Sequence, residues 1–154
     1  MPYRSNELLL VDDSPSDVEL TVRALEQDQT TTAVHVVEDG KEALDYVFCR
    51  GKYLHRNFSH RPCVILLDLQ LPIVTGLQVL KAIKEDERTR AIPIVILTSS
   101  KEQKDVAQGY KLGASAFIQK PVDYDQFCKI IRKIGAFWLT ANEPPPPEAF
   151  SEFS

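Results

Sequence analysis

The chain of 154 residues has no surplus of positive charge. Its 18 Lys and Arg are outnumbered by 22 Asp and Glu, giving a net charge of −4 and a pI near 5.4. That balance weighs against a nucleic-acid binder, which needs a cationic face to release counterions from phosphates. Long apolar runs are missing too: none approaches the ~18 residues of a membrane span. Residues 1–6 lead into only four apolar residues, too few for the core of a signal peptide. Cysteine is sparse and odd in number, with Cys49, Cys63 and Cys128 in no CxxC spacing. None of His35, His55 and His60 pairs with a Cys or Glu at metal-ligand spacing. A disulfide framework and a zinc site are thereby disfavoured, and structural roles are expected for all six. The expectation is a soluble, cytoplasmic protein with no nucleic-acid or membrane partner.

Length and composition fit one ordinary globular domain. A prior of about 150 residues per domain gives a count of one. A chain this long buries about 68–70% of its unfolded surface, enough for a full core without staples. Short aliphatic runs then alternate with longer amphipathic stretches, the pattern of a parallel sheet covered by helices. Strands are predicted at 7–11, 33–37, 64–67, 94–97 and 116–118. The first, third and fourth are solidly aliphatic, as strands buried on both faces should be. The first helix starts from a Ser14 cap, with Pro15 at its first position, Asp17 in its first turn and Val18, Val22 and Leu25 along one face. Others are predicted near 41–48, 77–85, 102–112, where Gly113 ends the helix, and 124–137. The order is βα five times, which predicts an α/β, doubly wound, five-stranded parallel sheet in a single domain.

Two segments break the rhythm. Residues 49–62 form a fourteen-residue connection carrying Arg50, Lys52, Arg56, Arg61 and two His, whereas most such links have about two to six residues. A solvated surface loop is the first reading and a partner-contact loop the second. After Thr140, four consecutive prolines at 144–147 exclude helix and inner strand, so an extended tail over 141–154 is expected. Only 16 residues follow Trp138, too few for a DNA-binding output domain.

Each strong strand runs into a polar group: Leu10-Val11 into Asp12-Asp13, Leu66-Leu67 into Asp68, Ile96-Leu97 into Thr98, and Ile118-Gln119 into Lys120-Pro121. In open parallel α/β sheets ligands bind outside the carboxyl ends of the strands, so these groups should converge on one crevice. Three crowded carboxylates resist ionisation unless a cation joins them. A hard, oxygen-preferring ion such as Mg²⁺ meets that need. With a hydroxyl and an ammonium alongside, such a carboxylate is equipped to accept a phosphoryl group. A first loop built to cradle a nucleotide phosphate would instead offer Gly and backbone N–H groups. The joint spacing carries the argument: 55 residues from Asp13 to Asp68, 30 from Asp68 to Thr98 and 52 from Asp68 to Lys120.

On these residues the sequence resembles the receiver (CheY-like, flavodoxin-like) domain of two-component response regulators over about residues 6–138. The resemblance gives a domain at 6–140, between a lead at 1–5 and the Pro-rich tail at 141–154. It implies Asp68 as phospho-acceptor, Thr98 as hydroxyl switch, Lys120 as the site lysine and Phe117, three residues before it, as switch aromatic. Mg²⁺ ligation is implied for Asp13, Asp68 and the backbone carbonyl of Gln70, with Asp12 acting partly through water. Pro72 and Gly76 fit the loop that follows the acceptor. The long basic loop and the Phe137-Trp138-Leu139 ending are similar to single-domain regulators paired with cyanobacterial phytochromes. That implies a phytochrome-like histidine kinase as partner and signalling by changed protein contacts rather than enzymatic turnover. A homodimer through the face of the fourth helix, fifth strand and fifth helix is expected, with Phe137, Trp138 and Leu139 as a covered patch; the alternative is that these three cap the protein's own core. The rival is a phosphatase of haloacid dehalogenase type. It also uses Asp, Thr, Lys and Mg²⁺ but needs a second Asp where this chain has Gln70.

Overall fold

Alternate residues of each aliphatic run face opposite sides of a sheet, and here that divides the core in two. The computed structural model describes residues 7–27 and 33–150. The expected lead at 1–5 and the end of the tail at 151–154 lie outside the described residues. The strands are β1 (Leu8–Val11), β2 (Val34–Val37), β3 (Val64–Leu67), β4 (Ile94–Thr98) and β5 (Ala116–Gln119). The helices are α1 (Pro15–Gln27), α2 (Gly40–Val47), α3 (Gly76–Glu85), α4 (Gln103–Lys111) and α5 (Tyr124–Gly135). Leu9, Val11, Ile65, Leu67, Ile94 and Ile96 pack with Ala43 and Val47 of α2 and Val79, Leu80 and Ile83 of α3. Leu8, Leu10, Val64, Leu66, Val95 and Leu97 pack with Ala24 and Leu25 of α1 and Phe127, Ile131 and Ile134 of α5.

All pairings are parallel and the strand order is β2-β1-β3-β4-β5. The chain leaves β1 for the edge strand β2, then crosses back to β3 on the other side of β1. That reversal opens a crevice at the carboxyl ends of β1 and β3. Val11 is in register with Leu67, so the residues that follow each strand, Asp12 and Asp68, emerge side by side.

Helix starts are written locally. Asp39 caps α2 by accepting from the Glu42 N–H at 2.7 Å, and Thr75 with Gln78 forms a capping box on α3. Asp123 caps α5 in the same way, accepting from the Gln126 N–H at 3.0 Å. No helix among the described residues is long and apolar enough to cross a membrane.

Three segments add to expectation or depart from it. Residues 49–62 run over the surface with most residues exposed, but Arg56 is held against the domain. It lies 3.6 Å over the Tyr46 ring of α2, donates to the Tyr46 and His60 carbonyls and pairs with Glu7 at 4.0 Å. His35 stacks on Tyr46 and pairs with the Tyr53 hydroxyl at 3.0 Å, giving that histidine its structural role. The tail is not uniformly extended: it makes a 3₁₀ turn at Pro147–Ala149. The Phe150 ring then lies 3.9 Å beneath the Arg61 guanidinium, a cation–π contact. The helix expected to run to 137 ends as α-helix at Gly135 and continues as a π-helical turn at Ala136–Ala141. The wider turn seats Trp138 and Leu139 against the α1–α5 core and leaves Phe137 half exposed. The Phe137 and Trp138 rings still meet edge to face, 5.0 Å between centroids.

Gly76 opens α3 directly against the strand end that carries Asp68. A Cβ there would lie 2.3 Å from the Asp68 carbonyl oxygen and 2.5 Å from the Leu69 Cα, both backbone atoms that cannot swing away. Gly76→Ala should therefore force α3 off β3 and lower Tm by on the order of 5 °C, an overpacking penalty. Thermal unfolding followed by circular dichroism checks this; an unchanged Tm would refute the close approach.

Candidate functional site

The crevice gathers its polar groups through backbone bonds at the strand ends. The Asp12 N–H still donates to Val37 and the Asp68 N–H to Val11, at 3.1 and 3.0 Å. Each carboxylate thus leaves a strand that is held on both sides. The chain then turns: the Ser14 N–H donates to Asp12 Oδ1 at 2.9 Å and the Gln70 N–H to Asp68 Oδ1 at 3.0 Å. Across the sheet, the Lys120 N–H donates to the Thr98 carbonyl at 2.7 Å, which fixes the start of the lysine side chain beside β4.

Lys120 reaches back across β4 and β3 to the acids. Its Nζ lies 2.8 Å from Asp12 Oδ2, 2.8 Å from Asp68 Oδ2 and 2.9 Å from Asp17 Oδ2. An ammonium has three N–H donors, and all three are used. Thr98 donates its hydroxyl to Asp68 Oδ1 at 2.9 Å. Asp12, Asp68, Thr98 and Lys120 are buried, whereas Asp13 is exposed. Asp12, Asp13 and Asp68 can each offer an oxygen within 4.8 Å of the others.

The charges do not balance. Four carboxylates, counting Asp17, face one ammonium among the described residues. Burial alone would lower the Lys120 pKa, but hydrogen bonds to Asp12, Asp17 and Asp68 override it and hold the ammonium above its ordinary value. For Asp12 burial wins: its carboxyl is raised despite the hydrogen bonds from Lys120 and Ser14. A single cation shared among these acids leaves Asp12 under-compensated. A divalent cation bound by oxygen ligands answers that deficit, so the donor set fits Mg²⁺. Chemically, a carboxylate with a cation and a hydroxyl beside it, as at Asp68, is equipped for nucleophilic attack on a group whose oxygens those donors can receive.

Asp12, Asp13, Asp68, Thr98 and Lys120 therefore come together as the spacing predicted. Gln70 joins through its N–H, and its side-chain oxygen accepts from the Ser99 hydroxyl at 3.0 Å. Phe117 stands apart from the carboxylates, half-buried on β5 against Gly109 of α4. Sequence reasoning gave Asp17 only a place in the first turn of α1. Its signal was there: five residues after Asp12, it sits one turn into a helix that starts at the strand end.

Comparison with known proteins shows the family and the fold. The response regulator Rcp1 of Synechocystis sp. is 33% identical over 132 residues, 86% of this chain and 88% of that protein. Its Mn(2+)-bound crystal structure superposes with a TM-score of 0.85, at 32% identity, covering 90% of this chain and 98% of that one. The phosphorylated cyanobacterial phytochrome response regulator RcpA gives a TM-score of 0.86 at 34% identity, covering 92% and 99% of the two chains. The bacteriophytochrome response regulator AtBRR is 47% identical, with a TM-score of 0.71 and coverage of 92% and 100%. Residues 8–132 match the response regulator receiver domain, and this chain, with its five parallel strands and its acidic crevice at their carboxyl ends, belongs to that family of two-component systems.

Proposed function

We propose that this protein is a response regulator that accepts a phosphoryl group on Asp68 from a histidine kinase of phytochrome type, in the cytoplasm, and signals through altered protein contacts. The observation that carries the reading is Asp68 itself: buried, paired with Lys120 and Thr98, and within reach of two further carboxylates. An Asp68 oxygen attacks phosphorus, an O–P bond forms and the P–N bond to the kinase histidine breaks. The electron pair stays on the imidazole nitrogen, which takes a proton from solvent. Lys120 and Thr98 donate to the phosphoryl oxygens as their charge develops. Asp13, Asp68 and the Gln70 carbonyl would hold Mg²⁺, with Asp12 partly through water, and the ion neutralises phosphoryl charge when bound. The phytochrome link rests on similarity to RcpA and AtBRR. A phosphatase of haloacid dehalogenase type finds no acid/base at Gln70, a neutral amide occupied by Ser99.

The output would run through Thr98 and Phe117. The Thr98 hydroxyl already points at Asp68, so a short movement brings it to a phosphoryl oxygen. Phe117 packs beside α4, where a change at Thr98 in the neighbouring strand can reach it. On the α4–β5–α5 face Tyr110, Tyr124 and Phe137 are exposed, and we assign the homodimer contact to this face. Aromatic residues supply much of the energy of such contacts.

Acetyl phosphate with Mg²⁺ should label the wild-type protein and leave Asp68→Asn unlabelled, because the amide keeps the shape but not the nucleophile. Label persisting on Asp68→Asn would overturn the assignment. In sedimentation the protein should dimerise at micromolar concentration. Phe137→Ala should weaken that dimer about fivefold or more without loss of fold, since loss of an interface aromatic typically costs over 1 kcal/mol. A monomer at every concentration, phosphorylated or not, would defeat the dimer.

A further inference from the structure

We propose that Asp17 is a positioning residue that restrains Lys120 and thereby sets how readily the site takes up a phosphoryl group. The proposal rests on the reading of Asp68 as acceptor. In the unphosphorylated site the three N–H donors of Lys120 are spent on Asp12, Asp17 and Asp68, so no donor is spare for an incoming anion. Phosphoryl transfer forms an O–P bond at Asp68, breaks the bond to the donor's leaving group and brings new oxygens beyond the carboxylate. To follow them, the ammonium must loosen a tether.

The two remaining tethers differ. The Asp12 side chain is 3% exposed and 2.8 Å from the ammonium, and deserting it would strand a buried carboxylate that water cannot reach. The Asp17 side chain is 31% exposed, so water can take the place of Lys120. Asp17 is thus the partner that is given up. It also stands on a different element from the other two acids: the first turn of α1, where its N–H faces the Ser14 hydroxyl at 3.4 Å and its carbonyl accepts from Thr21 at 2.7 Å. Releasing Lys120 therefore uncouples the start of α1 from the β5 end of the sheet.

The carboxylate opposes phosphoryl gain in a second way. It adds negative charge to a crevice that must admit an anionic donor, and like charges disfavour that approach. Asp17→Asn keeps size and local helix geometry while removing the charge. It should raise the rate of labelling by acetyl phosphate with Mg²⁺ about three- to fivefold, the discounted strength of a partly exposed ion pair. Asp17→Glu, which restores the carboxylate, should return the rate toward wild type. The ¹⁵N-labelled Lys120 ammonium supplies a readout that a merely structural role would not move: its protons should exchange with water faster in Asp17→Asn than in wild type. A wild-type labelling rate and unchanged Lys120 proton exchange in a folded Asp17→Asn would overturn the proposal while leaving the acceptor reading intact. A slower rate in that variant would overturn it equally. If wild-type protein takes no label at all, the acceptor reading fails and this proposal falls with it.

Discussion

One ammonium holding three carboxylates is the interaction on which the site depends. Lys120 comes from the last strand's end, Asp12 and Asp68 from two inner strands and Asp17 from the first helix. Removing Lys120 takes the one counter-charge from two buried acids, a change that typically costs about 3–5 kcal/mol. The same arrangement is deliberately short of charge: one unit of positive charge against four of negative invites a divalent ion and then a phosphoryl group. A site balanced to neutrality by its own side chains would need neither.

The fold matters because it makes that crowding possible. Parallel pairing puts every carboxyl end on one edge, and the in-register match of Val11 with Leu67 sets Asp12 beside Asp68. Strands buried on both faces leave those acids nowhere to retreat to except the crevice. The close seat of Gly76 against the Asp68 carbonyl keeps the following loop tight, so the acceptor's backbone is fixed on two sides. Rigidity around Asp68 leaves Lys120, on a four-carbon stem, as the mobile member.

Much of this is legible in the sequence for physical reasons. Aliphatic strands that end abruptly in Asp, Thr or Lys announce their polar edge, and Ser14-Pro15 announces the helix that follows. Asp17 was harder to read, because an acid in a first helical turn is explained just as well by the helix dipole. Only the three-dimensional meeting with Lys120 separates the two roles. Within the basic loop at 49–62, the place of Arg56 is hidden for a related reason. Arg56 looks like a solvent-facing charge in sequence, yet a planar guanidinium can lie on an aromatic ring, and Tyr46 supplies one. Phe137, Trp138 and Leu139 fit an interface patch and the edge of the protein's own core equally well as three adjacent bulky apolar residues. Trp138 and Leu139 pack against the α1–α5 core, a choice that depends on tertiary packing and not on the run itself. The orientation of the Thr98 hydroxyl is a rotamer choice, which no spacing encodes.

The charge deficit is the central claim, and titration of Mg²⁺ into the protein, followed by calorimetry, tests it most directly. Wild-type protein should bind one ion, and Asp13→Ala, which removes an exposed carboxylate without disturbing the Lys120 pairs, should bind it about tenfold more weakly. Asp12→Ala should weaken it less. Equal affinities in all three, or no binding in the wild type, would contradict the account.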